Sequence, residues 1–201
     1  MRLEKYPVPS WLVSSAGTGG TVATLGRYVR YRARPTRVCA ADAEYSVFFD
    51  HYRHRDPELR VHKGSRIEGI GRPRVEASFL PEVIDAMVKV PDVWSVAAMY
   101  ELSTRLGRSV GPSTGTNLIA ALACMDEMRA SGESGSVVTL LCDAGQRYAD
   151  TYFSHDWLQR AGLHCASERV AVAASLDSGE IATSLAASWQ TAGELPSDPG
   201  R

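Results

Sequence analysis

The fold of this chain is decided by the glycine-rich stretch Gly17-Thr18-Gly19-Gly20-Thr21. The apolar residues 11–13 precede this stretch, and the amphipathic segment of residues 22–32 follows it. A strand, a glycine-rich turn and a helix start, in that order, are typical of a phosphate cup. Glycines let backbone N–H groups approach an anion closely, and the helix N-terminus adds partial positive charge. The stretch therefore predicts an anion site where a helix begins.

Two common nucleotide motifs do not fit this stretch. A Walker A loop ends in Gly-Lys-Ser or Gly-Lys-Thr, and neither ending follows Gly17. A dinucleotide fingerprint needs a glycine at the sixth position counted from Gly17, and that position holds Val22. The alternative to an anion site is a tight turn without a ligand, because glycine often only marks a turn.

Composition and charge narrow the class of protein. The 201 residues are 44% hydrophobic and 22% charged, with a net charge of -1, which predicts neither a nucleic-acid nor a membrane partner. The arginines between Arg27 and Arg37 are interpreted as a solvated face. The four cysteines form no Cys-x-x-Cys pair, so we predict no metal site. A polar N-terminus and the lack of an apolar run of ~20 residues predict a cytoplasmic protein.

Apolar segments that predict strands alternate with amphipathic segments that predict helices. The predicted strands are Trp11–Ser15, residues 38–41 and residues 137–142, the last buried on both faces of a parallel sheet. The predicted helices are residues 22–32, Asp92–Leu106 with Asp92 as N-cap, and residues 118–128 after a glycine-bearing turn. Residues 42–66 are predicted to be irregular. The alternation predicts an α/β fold with an open, twisted, mostly parallel sheet flanked by helices.

The last part of the chain differs in composition. Residues 164–201 are rich in alanine and serine, and we predict a tail with one helix capped by Asp177 and Glu180 and with a disordered end. The preceding residues 1–163 are predicted to form the α/β domain.

Four motifs in order resemble one enzyme family. They are the glycine stretch and residues 66–71, 111–117 and 143–148. Together they resemble the cysteine synthase family, fold type II enzymes that use pyridoxal 5'-phosphate (PLP), over about residues 9–163. Residues 26–28, 66–74 and 148–153 are most similar to the actinobacterial S-sulfocysteine synthase branch. The resemblance implies the large domain of a fold type II enzyme, incomplete at its N-terminus.

The resemblance implies specific cofactor contacts. The PLP phosphate would be held by Gly17, Thr18, Gly19, Gly20 and Thr21, and Ser113 would donate a hydrogen bond to the pyridine nitrogen. A neutral hydroxyl leaves that nitrogen unprotonated and makes a weaker electron sink than an aspartate would, which suits β-elimination. The alternative for Ser113 is the N-cap of the helix over residues 118–128.

The resemblance also implies a loop next to the cofactor that moves when the site closes. Gly69, Ile70 and Gly71 match that loop, and Arg66, Arg72 and Arg74 add positive charge around it. These arginines would meet an anionic substrate such as O-phosphoserine or thiosulfate. Solvation at the surface is the competing interpretation of the arginines. Arg147 and Tyr148, in the fourth motif, are interpreted as structural.

The family's Schiff-base lysine lies in a segment before the first glycine loop. The lysines of this chain are Lys5, Lys63 and Lys89, and none stands in a matching motif. We therefore expect no catalytic residue here, an inactive chain when alone, exposed apolar surface, and a need for a complementing N-terminal segment.

The implied reaction is β-replacement on O-acetylserine or O-phosphoserine by a sulfur nucleophile, which gives cysteine or S-sulfocysteine. The resemblance implies an amino-acid substrate, a sulfur donor and a homodimer. One alternative is a non-catalytic remnant that binds phosphate or PLP, or that pairs with a full-length homologue. Another is a deaminase similar to threonine dehydratase.

Overall fold

The computed structural model describes residues 8–195, and the fold is built on a sheet of five strands within that range. The strands are β1 (Trp11–Ser15), β2 (Arg37–Ala43), β3 (Ala86–Val90), β4 (Val137–Thr139) and β5 (Gln190–Gly193). Their order is β4-β1-β2-β3-β5. The first four strands run parallel, and β5 pairs antiparallel with β3. This arrangement confirms the predicted α/β fold with a mostly parallel sheet.

The helices cover both faces of the sheet. They are α1 (Gly20–Tyr31), α2 (Phe48–His54), α3 (Asp92–Leu106), α4 (Pro112–Ala130), α5 (His155–Ala161), α6 (Ala166–Ser178) and α7 (Thr183–Ala186). Two short 3-10 turns, Pro81–Val83 and Gly145–Tyr148, lie in the connections.

Side chains that point alternately to the two faces of the sheet divide the hydrophobic core into two clusters. Cys39 and Ala41 of β2 pack with the side of the sheet that carries α3 and α4. Val38 and Ala40 pack with the side that carries α1 and α2. Successive side chains of a strand point to opposite faces, so one strand with both sets buried supports two helical layers. The carboxyl ends of β1 and β2 lie between these layers.

The fourth strand differs from the sequence prediction. Residues 137–142 were expected to form a strand buried on both faces, but β4 ends at Thr139 and lies at the edge of the sheet. Val138 and the following Leu140 and Leu141 are exposed. An apolar run does not by itself distinguish a central strand from an edge strand, because that depends on what packs beside it. The exposed leucines agree with the expectation of exposed apolar surface.

Several other elements begin elsewhere than predicted. Residues 42–66, which were predicted to be irregular, contain helix α2. Helix α4 begins at Pro112, six residues before its predicted start at Leu118, because proline is favoured in the first turn of a helix. The cap of α3 is Pro91, and the buried carboxylate of Asp92 serves other partners. The sequence prediction also omitted β3, whose run Ala-Met-Val-Lys-Val ends at Val90, immediately before Pro91.

The Ala/Ser-rich end of the chain is built differently from the prediction. Helix α6 ends at Ser178, so the helix predicted to start at Asp177 is wrong. Gly179 follows with a φ of 73°, which terminates a helix and does not start one. Strand β5 then pairs with β3 and places part of the predicted tail in the main sheet. The predicted disordered end concerns residues 196–201, outside the described residues.

Two further predictions from composition concern membranes and thiols. Over residues 8–195, each helix is too short or too polar to cross a bilayer. Cys39, Cys124 and Cys165 are buried, and Cys142 is exposed.

A buried carboxylate at the end of β2 predicts how stability depends on pH. Burial raises the pKa of Asp42 from 3.8 to about 6, although the Ser46 side chain and the N–H of Phe49 oppose the shift. The folded state therefore holds this proton more tightly than the unfolded chain. The contribution of Asp42 to stability is full below pH 3.8 and is lost as pH rises through about 6.

We expect Asp42→Asn to remove this dependence. The free energy of unfolding of the wild type, measured relative to that of the variant in urea, should fall by about 2 kcal/mol between pH 4 and pH 7. The hydrogen bonds that the substitution itself disturbs change the stability by a constant amount over this range. A difference between the two proteins that is flat with pH would contradict the prediction.

Candidate functional site

A cavity of about 240 Å³ opens at the carboxyl end of β1. In open α/β sheets, ligands bind beyond the carboxyl ends of the parallel strands, and this cavity has that position. We call it the cup. Of the predicted site residues, the lining includes Gly17, Thr18, Gly19, Gly20, Thr21, Gly69, Ile70 and Ser113. The structure thus brings three separate motifs of the sequence to one place.

The glycine stretch forms the wall of the cup at the N-terminus of α1. Gly19 caps this helix with a φ of 95°, a conformation that favours glycine. A Cβ atom on Gly19 would lie 2.5 Å from the Cα of Phe79, and one on Gly17 would lie 2.6 Å from the carbonyl oxygen of Gly69. Both positions therefore need glycine because backbone approaches them closely.

The electrostatics of this wall favour an anion. The first N–H groups of a helix have no partner within the helix, and the first turn of α1 contains no acidic residue. Thr18 and Thr21 are exposed at the cup, where their hydroxyls can donate to a ligand. No lysine or arginine belongs to the described lining, so backbone and hydroxyl dipoles supply the attraction.

Ser113 lies opposite, in the first turn of α4. It is buried, it lines the cup, and within residues 8–195 its hydroxyl has no hydrogen-bond partner. The alternative role as N-cap of a helix over residues 118–128 is wrong, because α4 already begins at Pro112 and Gly111 is its cap. Its hydroxyl can therefore donate to a ligand.

The predicted mobile loop forms a third side of the cup, but its residues differ in role. Gly69 and Ile70 line the cavity, whereas Gly71 is not part of the lining. The N–H of Gly71 donates to the carbonyl of Ala16 at 2.9 Å, and its φ is 70°. Gly71 thus attaches the loop to the chain immediately after β1.

Arg66 is engaged in the protein interior, contrary to the predicted contact with substrate. Its Nε lies 2.9 Å from Oδ2 of Asp92, and one of its NH groups lies 3.2 Å from Oε2 of Glu44. A further NH donates to the carbonyl of Ala161 at 3.0 Å. Burial raises the pKa of Asp92, and the guanidinium of Arg66 opposes that shift. Arg66 therefore neutralises a buried carboxylate.

The other two arginines also lie outside the cup. Arg72 donates to the carbonyl of Gly71 at 2.9 Å, and Arg74 approaches Glu76 at 3.4 Å with most of its side chain exposed. The sequence spacing placed them near Gly69, but the chain turns away after Gly71.

The fourth motif closes the cup on the side of β4. Asp143 lines the cavity, and its Oδ2 accepts from the hydroxyl of Tyr148 at 2.7 Å and from Arg147 at 3.2 Å. Burial, reinforced by Asp143, raises the pKa of Tyr148. Arg147 also lies 3.2 Å from Glu68, so it links this motif to the loop at Gly69.

Sequence reasoning missed four lining residues, namely Ser14, Ser15, Leu140 and Cys142. They flank the ends of β1 and β4. The signal that could have found them is positional, since residues at the carboxyl ends of adjacent parallel strands meet at one edge of the sheet.

The donor set of the cup fits a phosphorylated ring such as PLP. The helix start and the glycines suit the phosphate, and the unpartnered hydroxyl of Ser113 suits a ring nitrogen. Neither described lysine lines the cup. Lys89 pairs with Asp50 at 3.2 Å, and Lys63 lies over the ring of Tyr45.

Comparison with known proteins decides the family. The family model described as "Pyridoxal-phosphate dependent enzyme" matches residues 2–143 of this chain. The chain belongs to this family. Its cofactor is therefore pyridoxal phosphate, in agreement with the resemblance drawn from the motifs.

Several similar proteins are named for reactions of cysteine. An L-cysteine desulfhydrase, Cds1, from Mycobacterium tuberculosis is 56% identical over 172 residues, which cover 86% of this chain and 47% of that protein. Cysteine synthase 1 of Emericella nidulans is 34% identical over 74% of this chain and 40% of that protein. This member of the pyridoxal-phosphate dependent family thus spans less than half the length of these relatives.

The fold has a counterpart among solved structures. The crystal structure of O-ureido-L-serine synthase superposes with a TM-score of 0.58 at 24% identity, over 75% of this chain and 47% of that one. This likeness supports the fold.

Proposed function

We propose that this chain forms the phosphate-holding part of a PLP enzyme that makes or breaks the bond between carbon and sulfur in cysteine-like amino acids. The main support is the cup, in which the glycine stretch, the loop at Gly69 and Ser113 converge. PLP, when bound, draws electrons from the α-carbon of an amino acid, so that a group on the β-carbon can leave. The residues of this chain bind and orient that cofactor.

The first candidate reaction is β-replacement, in which O-acetylserine or O-phosphoserine accepts a sulfur nucleophile and gives cysteine or S-sulfocysteine. A relative named cysteine synthase supports it. The second candidate is β-elimination, which releases sulfide from cysteine, and the relative at 56% identity named L-cysteine desulfhydrase favours it. Both reactions use the same cofactor position. Location in the cytoplasm and a homodimeric state stay predictions.

The described lining of the cup suits a phosphate but includes no amine for the cofactor. Because neither Lys63 nor Lys89 lines it, we propose that this chain alone binds PLP without turnover and needs a complementing segment. The edge strand β4 supports this proposal. Val138 is 44% exposed and Leu141 is 47% exposed, and an uncovered edge strand is a template for another strand.

Binding measurements test the cup. We expect the chain to bind PLP at least tenfold more tightly than pyridoxal, which lacks the phosphate, as measured by calorimetry. Ser113→Ala should weaken the binding of PLP but leave the binding of inorganic phosphate unchanged, because the proposed phosphate contacts lie at the start of α1. Equal affinities for PLP and pyridoxal would contradict the proposed function.

Activity measurements test the need for a complementing segment. The chain with PLP should release no sulfide from cysteine and form no cysteine from O-acetylserine and sulfide. The full-length desulfhydrase from Mycobacterium tuberculosis serves as the positive control. Steady turnover by the chain alone would overturn this part of the proposal.

A further inference from the structure

Strands β1 and β4 stop pairing at the point where the cup opens. The ladder between β1 and β4 pairs Trp11 with Val137, Leu12 with Val138 and Val13 with Thr139, and it ends there. Beyond this point, Ser15 continues toward the glycine stretch, and Leu140 and Cys142 form the facing wall. Backbone groups released from a ladder need new partners when they are buried.

The side chain of Asn117 supplies these partners. It is fully buried in the second turn of α4. Its Oδ1 accepts from the N–H of Ser15 at 2.7 Å, and its Nδ2 donates to the carbonyl of Leu140 at 3.1 Å. The same Nδ2 lies 3.4 Å from the Sγ of Cys142. A carboxamide has the donor and acceptor of a peptide group, so Asn117 stands between the strands as a peptide unit would.

We propose that Asn117 is a positioning residue that sets the width of the cup. For the identity of the ligand, this proposal rests on the proposed function. It connects both walls to one helix, the helix whose first turn also contains Ser113. The neighbouring Thr114 adds to the same wall, because its hydroxyl accepts from the N–H of Cys142 at 2.9 Å. The separation of the phosphate wall from the Ser113 wall is then fixed before a ligand enters, and this preorganisation favours binding.

Substitutions at Asn117 and at the preceding residue, Thr116, distinguish this positioning role from a purely stabilising one. Asn117→Ala removes both bridges. Thr116→Val is the matched control, because Thr116 is equally buried on the same turn but bonds to Ser95 of α3 at 2.8 Å. We expect Asn117→Ala to reduce the affinity for PLP at least tenfold. Thr116→Val should keep that affinity within twofold of the wild type while it lowers the free energy of unfolding.

Hydrogen exchange of the ligand-free chain gives a second measurement that does not depend on PLP. Asn117→Ala should accelerate amide exchange in residues 14–18 and 140–143 without a matching change in β2 or β3. Asn117→Asp keeps the acceptor for Ser15 but loses the donor to Leu140, so exchange should rise mainly in residues 140–143. Thr116→Val should produce neither pattern.

The outcomes distinguish the proposals. If the wild type fails to bind PLP, the proposed function fails, and the exchange pattern still decides the role of Asn117. If Asn117→Ala matches Thr116→Val in both affinity and exchange, Asn117 is merely structural and the inference is overturned. Local acceleration at both walls, with the one-sided result for Asn117→Asp, supports it.

Discussion

Replacing Arg66 with methionine should lower the free energy of unfolding by about 4 kcal/mol at pH 7. The carboxylate of Asp92 is fully buried, and the guanidinium of Arg66 lies 2.9 Å from it with only about a quarter of its side chain exposed. Methionine preserves much of the volume but leaves the charge of Asp92 without its counter-ion. Removing one partner of a buried pair costs far more than the pair contributes, because an uncompensated charge remains. Urea denaturation followed by circular dichroism measures the loss.

Arg74→Met is the matched control for this prediction. The Arg74 side chain is 66% exposed and pairs with Glu76 at 3.4 Å, so its loss should change stability by less than about 0.5 kcal/mol. If Arg66→Met were as stable as Arg74→Met and instead weakened O-phosphoserine binding, the substrate role predicted from the sequence would be restored.

Replacing Gly19 with alanine should reduce PLP affinity about a hundredfold and destabilise the chain by about 3 kcal/mol. The φ of 95° is unfavourable for any residue with a Cβ atom. The new Cβ would also lie within 3 Å of the backbone of Phe79, which cannot rotate away as a side-chain end can. The loop must shift, and the N–H groups at the start of α1 shift with it. Calorimetry with PLP and urea denaturation measure the two effects.

Gly20→Ala in the same loop is the control. A Cβ atom at Gly20 would have Thr18 Oγ1, at 3.8 Å, as its nearest neighbour, which is ordinary contact. Alanine also favours the helix that begins at this residue. We expect Gly20→Ala to reduce PLP affinity far less than Gly19→Ala does, because the loop does not have to shift. Equal PLP affinities for Gly19→Ala and Gly20→Ala would show that the geometry of the loop does not hold the ligand.

The parts of the site that could be predicted are those encoded in contiguous residues. The stretch from Gly17 to Thr21 lies between a strand and a helix, so its place at a helix N-terminus follows from local pattern. Ser113 was singled out by the resemblance of its motif and lies in the lining of the cup, and its contact with PLP stays a prediction. The contacts of Arg66 could not be predicted, because its partners Asp92 and Ala161 lie 26 and 95 positions away in the sequence. Nothing in the spacing of charges near Gly69 indicates that contact.

The sequence also could not show that β4 lies at the edge of the sheet, or that β1 and β4 stop pairing at the cup. The apolar run at residues 137–142 has the pattern of a buried strand, but its burial depends on whether another strand lies beside β4. Nothing in the sequence indicated the role of Asn117, because only its contacts distinguish it from any other asparagine in a helix.

The sequence by itself determined the alternation of strands and helices, the glycine-lined turn at the start of α1 and the family, because periodicity and glycine geometry act over a few residues. The tertiary structure decided which residues of distant segments share the cup, which arginine neutralises Asp92 and where the sheet ends. These outcomes depend on contacts between segments separated by tens of residues. The packing of α3 and α4 against the sheet, and hydrogen bonds such as that from Gly71 to Ala16, bring such segments together.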